Sequence, residues 1–157
     1  MSKILKSLVV LIILGVVAFF PLRWLVPRVS PMPDNLGVEN GRLTPCPNSP
    51  NCVSTQAPDE QHRIEPIAYE GETAVAHQKI LTLLANDTSY TLISQTPTYI
   101  HAEARSNLWR FIDDVEFFFD EADGLIHFRS ASRLGYGDAG ANRQRLEELR
   151  TAFAQAN

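Results

Sequence analysis

The sequence predicts an α+β domain, a two-layer sandwich in which an antiparallel sheet of about four strands packs on two helices, preceded by an N-terminal transmembrane helix. Three observations predict it. Residues 8–22 form an apolar run flanked by basic residues, and residues 90–131 fall into β-rich segments separated by turn residues. On either side of those segments, apolar residues recur at helical spacing. A helix, a meander and a second helix, each with one apolar face, bury those faces as a sheet against helices.

The first element, Leu8 to Leu22, reads LVVLIILGVVAFFPL, with Lys3 and Lys6 before it and Arg23 after it. Extended to Val26, with Arg23 snorkelling toward headgroups, its 19 residues rise roughly 28 Å, close to the hydrocarbon thickness. Trp24 and Arg28 then fall in an interfacial belt, and Pro21 lies near enough to the end to do little harm. Two other readings compete. A cleaved signal peptide has only Val16 and Ala18 to offer as a small-residue site, and cleavage there leaves Phe19-Phe20-Pro21-Leu22 exposed. A buried core helix is the third. We take residues 1–28 as the membrane anchor. Two basic residues lie on each side of the run, and the free amine tips the count toward an inside amino terminus.

Residues 29–60 read as a proline-rich stalk with a cysteine loop, either a linker that lifts the domain off the bilayer or a strap. Six prolines between positions 27 and 50, with Gly37 and Gly41 among them, exclude a helix or an interior strand. Cys46 and Cys52, the chain's two cysteines, bracket Pro47-Asn48-Ser49-Pro50-Asn51, whose composition favours tight turns. A structural disulfide is the leading reading; a redox dithiol, half a zinc site with His62, and two free thiols stay open. A disulfide places the domain outside the cytoplasm, here the periplasm of a bacterium.

Residues 61–157 hold the globular domain, long enough for one core and too short for two. Ala74, Ala76, Ile80, Leu81, Leu83 and Leu84 predict an amphipathic helix from about Thr73 to Ala85, with Thr73 as N-cap and Asn86-Asp87 as stop. Strands follow at Tyr90–Gln95 and Thr98–Ala104, then at Leu108–Asp120, which turns at Asp123-Gly124 into Leu125–Ala131. Leu146, Leu149 and Phe153 mark a closing helix over Ala141–Ala156, capped by Asp138 or Asn142. One sheet face packs on the helices and the other is left to water or a ligand.

Charge narrows the partners. Fourteen Lys and Arg stand against 18 Asp and Glu; without Lys3, Lys6, Arg23 and Arg28 the balance is 10 against 18, a net charge of −8. Such a domain is a poor electrostatic match for nucleic acid or anionic lipid, and no nucleic-acid partner is expected. Trp109, Phe111, Val115, Phe117 and Phe119 share one face, so Asp113 points into an apolar layer unless a bulge intervenes. It needs a cation, and Arg129, Arg133 or Arg143 is the expected source. Arg110, Asp114 and Glu116 share the opposite face, with His101, Glu103 and Arg105 on one neighbouring strand and His127 and Arg129 on the other.

Three uses of this face are open. It is a set of solvated ion pairs, a face that binds an anionic group, or a catalytic or metal site on Asp113, Asp114, Glu116 and a histidine. The spacing matches no metal motif, and no metal or cofactor is expected. No serine sits in a G-x-S-x-G elbow. Leu134 to Gly140 carries three glycines ahead of a helix but lacks the lysine and spacing of a phosphate-binding loop. It reads as a loop that needs positive φ.

The strings Cys46–Ser54, Phe111–Phe117 and Arg129–Arg133, with Gly135, Asp138, Gly140, Asn142, Arg143 and Arg145-Leu146-Glu147, resemble the family known as domain of unknown function 1499. The resemblance brings no activity, substrate or cofactor with it. It does direct attention to acids, arginines, serines and an asparagine that periodicity alone leaves as surface or caps. The ligand-binding candidates are therefore Asp113, Asp114, Glu116, Arg129, Ser130, Ser132, Arg133, Asn142 and Arg143. The expected protein is a noncatalytic binding or structural domain, single-pass in the inner membrane, that meets an anionic small molecule or an envelope protein. The alternative is an envelope hydrolase using Asp113, Asp114 or Glu116, with Arg129 or Arg133 steadying negative charge.

Overall fold

A computed structural model describes residues 2–156. The N-terminal apolar segment is one helix, α1 (Lys3–Leu25), followed by a 3₁₀ turn at Val26–Val29. With a mean hydropathy of 2.6 it is long and apolar enough to cross a membrane. Pro21 lies inside its last turns without ending it.

The remaining elements are β1 (Val38–Glu39), β2 (Arg42–Leu43), β3 (Cys52–Ser54), β4 (Ile67–Ala68), α2 (Thr73–Ala85), β5 (Tyr90–Thr96), β6 (Tyr99–Arg105), β7 (Ile112–Asp120), β8 (Leu125–Ser132) and α3 (Ala141–Gln155). β1 and β2 form a separate hairpin. The main sheet is antiparallel in the order β3-β8-β7-β6-β5, with β4 also paired to β8. Its six strands correct the expected number of about four. The four strands read from sequence are β5 to β8. The two additional strands hold three and two residues, too short to show an alternation.

Helices α2 and α3 lie on one face of the sheet, over Val115, Phe117, Phe119, Ile126 and Phe128, all at most 1% exposed. Each such buried aromatic or aliphatic side chain contributes about 1.5–3 kcal/mol. From α2 come Ala76, Ile80 and Leu84, and from α3 Leu146, Leu149 and Phe153, a single stripe on each helix. Glu72, not Thr73, holds the N-cap position of α2; the Thr73 hydroxyl pairs instead with that of Tyr69 at 2.9 Å. At α3 the Asp138 carboxylate accepts the N–H groups of Gly140 and Asn142, each at 2.9 Å, so Asp138 does the capping. Gly124 turns β7 into β8 at a φ of +63°, and a Cβ there would lie 3.3 Å from the Tyr69 carbonyl oxygen.

Two features differ from the sequence reading and shape the site. β7 starts at Ile112, not Leu108, because Ser106 to Phe111 form a turn in which Arg110 takes a φ of 63°. Arg110 therefore does not share a face with Asp114. The sheet face away from the helices is also not left open: residues 30–45 cross it as a strap. Leu43 and Ser30 are each 3% exposed, and Gln56 fixes the hairpin by accepting the Leu43 N–H at 2.8 Å and donating to the Gly41 carbonyl at 3.0 Å. Prolines suit this segment to an extended cover, since they bar it from becoming a helix or an interior strand. Cys52–Ser54, within the segment read as a stalk, forms an edge strand of the main sheet.

Candidate functional site

Strand parity separates the sequence candidates. Opposed residues of antiparallel strands share a face, and neighbours along one strand do not. Asp114 stands opposite Glu103 and Ala131, and Glu116 opposite His101 and Arg129, so these belong to the strap side. Asp113 stands opposite Ser132, and Val115 opposite Ser130, so Asp113 and both serines face the helices. No bulge occurs between Asp113 and Val115. The buried carboxylate has a cation instead.

On the strap side, Asp114 is 1% exposed. Its two oxygens accept Arg133 Nε at 2.8 Å and Nη2 at 2.6 Å, and His101 Nε2 lies 2.8 Å from Oδ1. Burial pushes the Asp114 carboxyl up, but hydrogen bonds and charge from Arg133 and His101 outweigh it and hold the group below its ordinary range. Arg133 also reaches Glu103 at 2.8 Å, and Glu103 in turn accepts Arg105 Nη2 at 2.7 Å. Glu116 has no exposed surface. Its Oε1 accepts the Gly37 N–H of the strap at 2.7 Å and the Tyr99 hydroxyl at 2.8 Å, while Oε2 accepts Arg129 Nη1 at 3.0 Å. Burial first, and the charge of Glu116 second, raise the Tyr99 hydroxyl far above its ordinary value, so it stays a proton donor. The strap adds the Ser30 carbonyl, which accepts Arg133 Nη1 at 3.3 Å.

On the helix side, Asp113 accepts Arg145 Nη2 at 2.6 Å. The expected partners Arg129 and Arg133 are on the far face. Arg143 is also elsewhere, half-buried and donating to the Gln61 and Arg63 carbonyls. Arg145 Nη1 donates to Asn142 Oδ1 at 2.7 Å and Ser130 Oγ at 3.1 Å, and the Ser130 hydroxyl also donates to Asn142. The Asn142 amide reaches the Asn51 carbonyl at 3.0 Å, Ser132 Oγ at 3.0 Å and Asp138 at 2.8 Å. Asn51 donates to the Gly135 carbonyl at 2.7 Å. This cluster ties together the cysteine loop, the end of β8, the glycine loop and the start of α3.

Cys46 and Cys52 form a disulfide. Among the described residues, no three His, Cys, Asp or Glu side chains converge as a metal-ligand set. The cleft of about 400 Å³ beside the helix-side cluster opens between α2, β5 and α3, with Tyr90, Asp87, Gln144, Arg145 and Glu148 in its walls. None of the nine sequence candidates lines it.

Arg145, Tyr99, Asp138 and Gly37 join the clusters from outside the nine sequence candidates. Position 145 carried a signal, since the i, i+3 spacing from Asn142 puts both on one helical face. Gly37 carried none, because it contributes only backbone.

Fold and site together define a class: an α+β domain behind a helix of membrane-spanning length, with a charged sheet face sealed under an extended strap. The chain belongs to the family described as Protein of unknown function (DUF1499), whose model matches residues 42–153. No curated protein and no solved structure matches it.

Proposed function

We propose that this protein is a membrane-anchored, noncatalytic domain of the cell envelope. Its globular part stands in the periplasm, and its charged residues hold the strap to the sheet instead of holding a substrate. One observation carries the reading. Asp114 pairs with Arg133 and Glu116 with Arg129 beneath residues 30–45, so each carboxylate already has an arginine. A general acid or base must reach a substrate proton, and a buried carboxylate in a bidentate pair cannot do so. The disulfide supports the compartment, because such bonds persist outside the cytoplasm.

Two measurements test the reading on the full chain. A phosphatase fused after Asn157 is expected to be active, and an inactive fusion would overturn the periplasmic placement. Asp114→Asn is expected to lower the melting temperature, since it leaves Arg133 with Glu103 alone. Catalytic groups are commonly kept at a cost in stability, so an unchanged or raised melting temperature would favour a catalytic use.

A further inference from the structure

The turn between β6 and β7 carries an apolar group that neither cluster uses. Leu108 is 58% exposed, Phe111 38% and Trp109 37%, on consecutive positions interrupted only by Arg110. The turn is held in shape. Ser106 and Phe111 exchange backbone and side-chain hydrogen bonds, with the Phe111 N–H on Ser106 Oγ at 3.0 Å and the Ser106 N–H on the Phe111 carbonyl at 3.0 Å. Exposed apolar side chains that cluster, unlike ones scattered singly, mark a surface for a partner or a membrane.

The occupant follows from what the turn touches. Arg23, in the last turn of α1, donates to the Asn107 and Leu108 carbonyls, and the Trp109 ring lies 5.2 Å from the Phe19 ring. Phe19 precedes Arg23 by four residues, so it sits roughly 6 Å further along the helix toward its amino terminus. With α1 across a bilayer, Arg23 marks the headgroup level on the domain side. The Trp109 tip then reaches one helical turn below that level, at the boundary of the acyl chains. Tryptophan favours this depth because its ring is apolar and its N–H remains able to meet water or headgroups. Trp24 and Arg28 lie on the headgroup side of the same level, with the Arg28 guanidinium 3.4 Å over the Trp24 ring.

We propose that Leu108, Trp109 and Phe111 insert into the lipid interface, so that the domain rests on the membrane instead of standing off it. The inference builds on the anchoring reading and adds a second lipid contact, 80 residues and more beyond the helix. The partner is the zwitterionic lipid surface itself, since the domain's net charge of −8 disfavours an anionic one, and no protein is required.

Trp24 and Trp109 are the only tryptophans, so a Trp24→Phe chain reports on Trp109 alone. The full chain is placed in phosphatidylcholine vesicles containing lipid brominated either near the glycerol end or near the methyl end of one acyl chain. Floating with the vesicles tests the anchor, and quenching tests the tip. Strong Trp109 quenching by glycerol-end bromine, weaker with methyl-end bromine and reduced in a Leu108→Ser/Phe111→Ser chain, is the expected result. A chain that floats while Trp109 stays unquenched overturns the tip and leaves the anchor standing. A chain that does not float overturns both.

Discussion

Glu116 is the residue whose neutralisation separates a buried network from surface ion pairs. In Glu116→Gln the shape is retained, and an amide oxygen in the place of Oε1 can still accept both the Gly37 N–H and the Tyr99 hydroxyl, with the amide nitrogen then facing Arg129. The loss is charge. Arg129, with its side chain 8% exposed, has Glu116 as its carboxylate partner, and its Nε is buried without an acceptor. Removing one member of a buried pair costs about 3–5 kcal/mol because the other charge stays behind. For a domain of this size, that loss lowers the melting temperature by roughly 10–20 °C. Near-UV circular dichroism of the full chain in nanodiscs follows the transition. Arg129→Met alone strands Glu116 and is expected to cost a similar amount, whereas the double variant strands nothing and costs less than the two together. A coupling of about 1–3 kcal/mol is expected from the cycle. A Glu116→Gln cost under about 1 kcal/mol with additive behaviour would place the pair among exposed salt bridges and refute the sealed network.

Acid titration should remove stability in two windows. His127 is held below its ordinary 6.5, mainly by burial, so the unfolded chain binds the proton first and stability falls as pH drops below 6.5. His127→Phe should flatten that window in a pH series of melts. The depressed Asp114 acts further down: its contribution is complete above the ordinary carboxylate value of 3.8 and disappears as pH falls through its own lower value. Reduction of Cys46–Cys52 should cost about 2 kcal/mol by loop entropy, and a melt in reductant that matches the oxidised one would contradict this. Asp138→Ala should cost about 1–2 kcal/mol through loss of the α3 cap, with Asp138→Asn recovering much of it; equal losses in both would contradict a capping role.

The sequence signal was strongest where one period runs long. The α2 and α3 stripes and the meander β5 to β8 are legible because side-chain spacing repeats over seven to fifteen residues, and the turn at Gly124 because of the Asp123-Gly124 pair. β3 and β4 were not, since three and two residues cannot display a period and their strand identity comes from pairing with β8. The start of β7 at Ile112 is not visible in the sequence because Trp109 and Phe111 continue its alternation, although Arg110 at positive φ breaks the backbone. Parity correctly predicted that Asp113 and Asp114 face opposite ways and that Asp113 needs a cation. It could not choose among arginines on other elements, since the choice depends on where α3 crosses the sheet. Where the strap docks was hidden for a simpler reason. Its contacts to the network run through the Gly37 N–H and the Ser30 carbonyl, backbone groups present at every residue.

Those backbone contacts change what the proline-rich segment does. A stalk that only lifts a domain leaves its orientation free, since an unattached linker samples many end-to-end directions. Here the chain is fixed at Arg23 to the β6–β7 turn, at Ser30 to Arg133, at Gly37 to Glu116 and at Leu43 to Gln56. Two of these four attachments end on buried charges of the sheet. The consecutive acids Asp113 and Asp114 give this end of the sheet a polar group on each face, and each face then needs its own cover. Helix α3 supplies one through Arg145, and the strap supplies the other. Neither cover can leave without uncovering paired charges, so the helix α1, the strap and the sheet are expected to move as one body. On the proposed reading, that coupling and not a reactive group is the role of the buried charges.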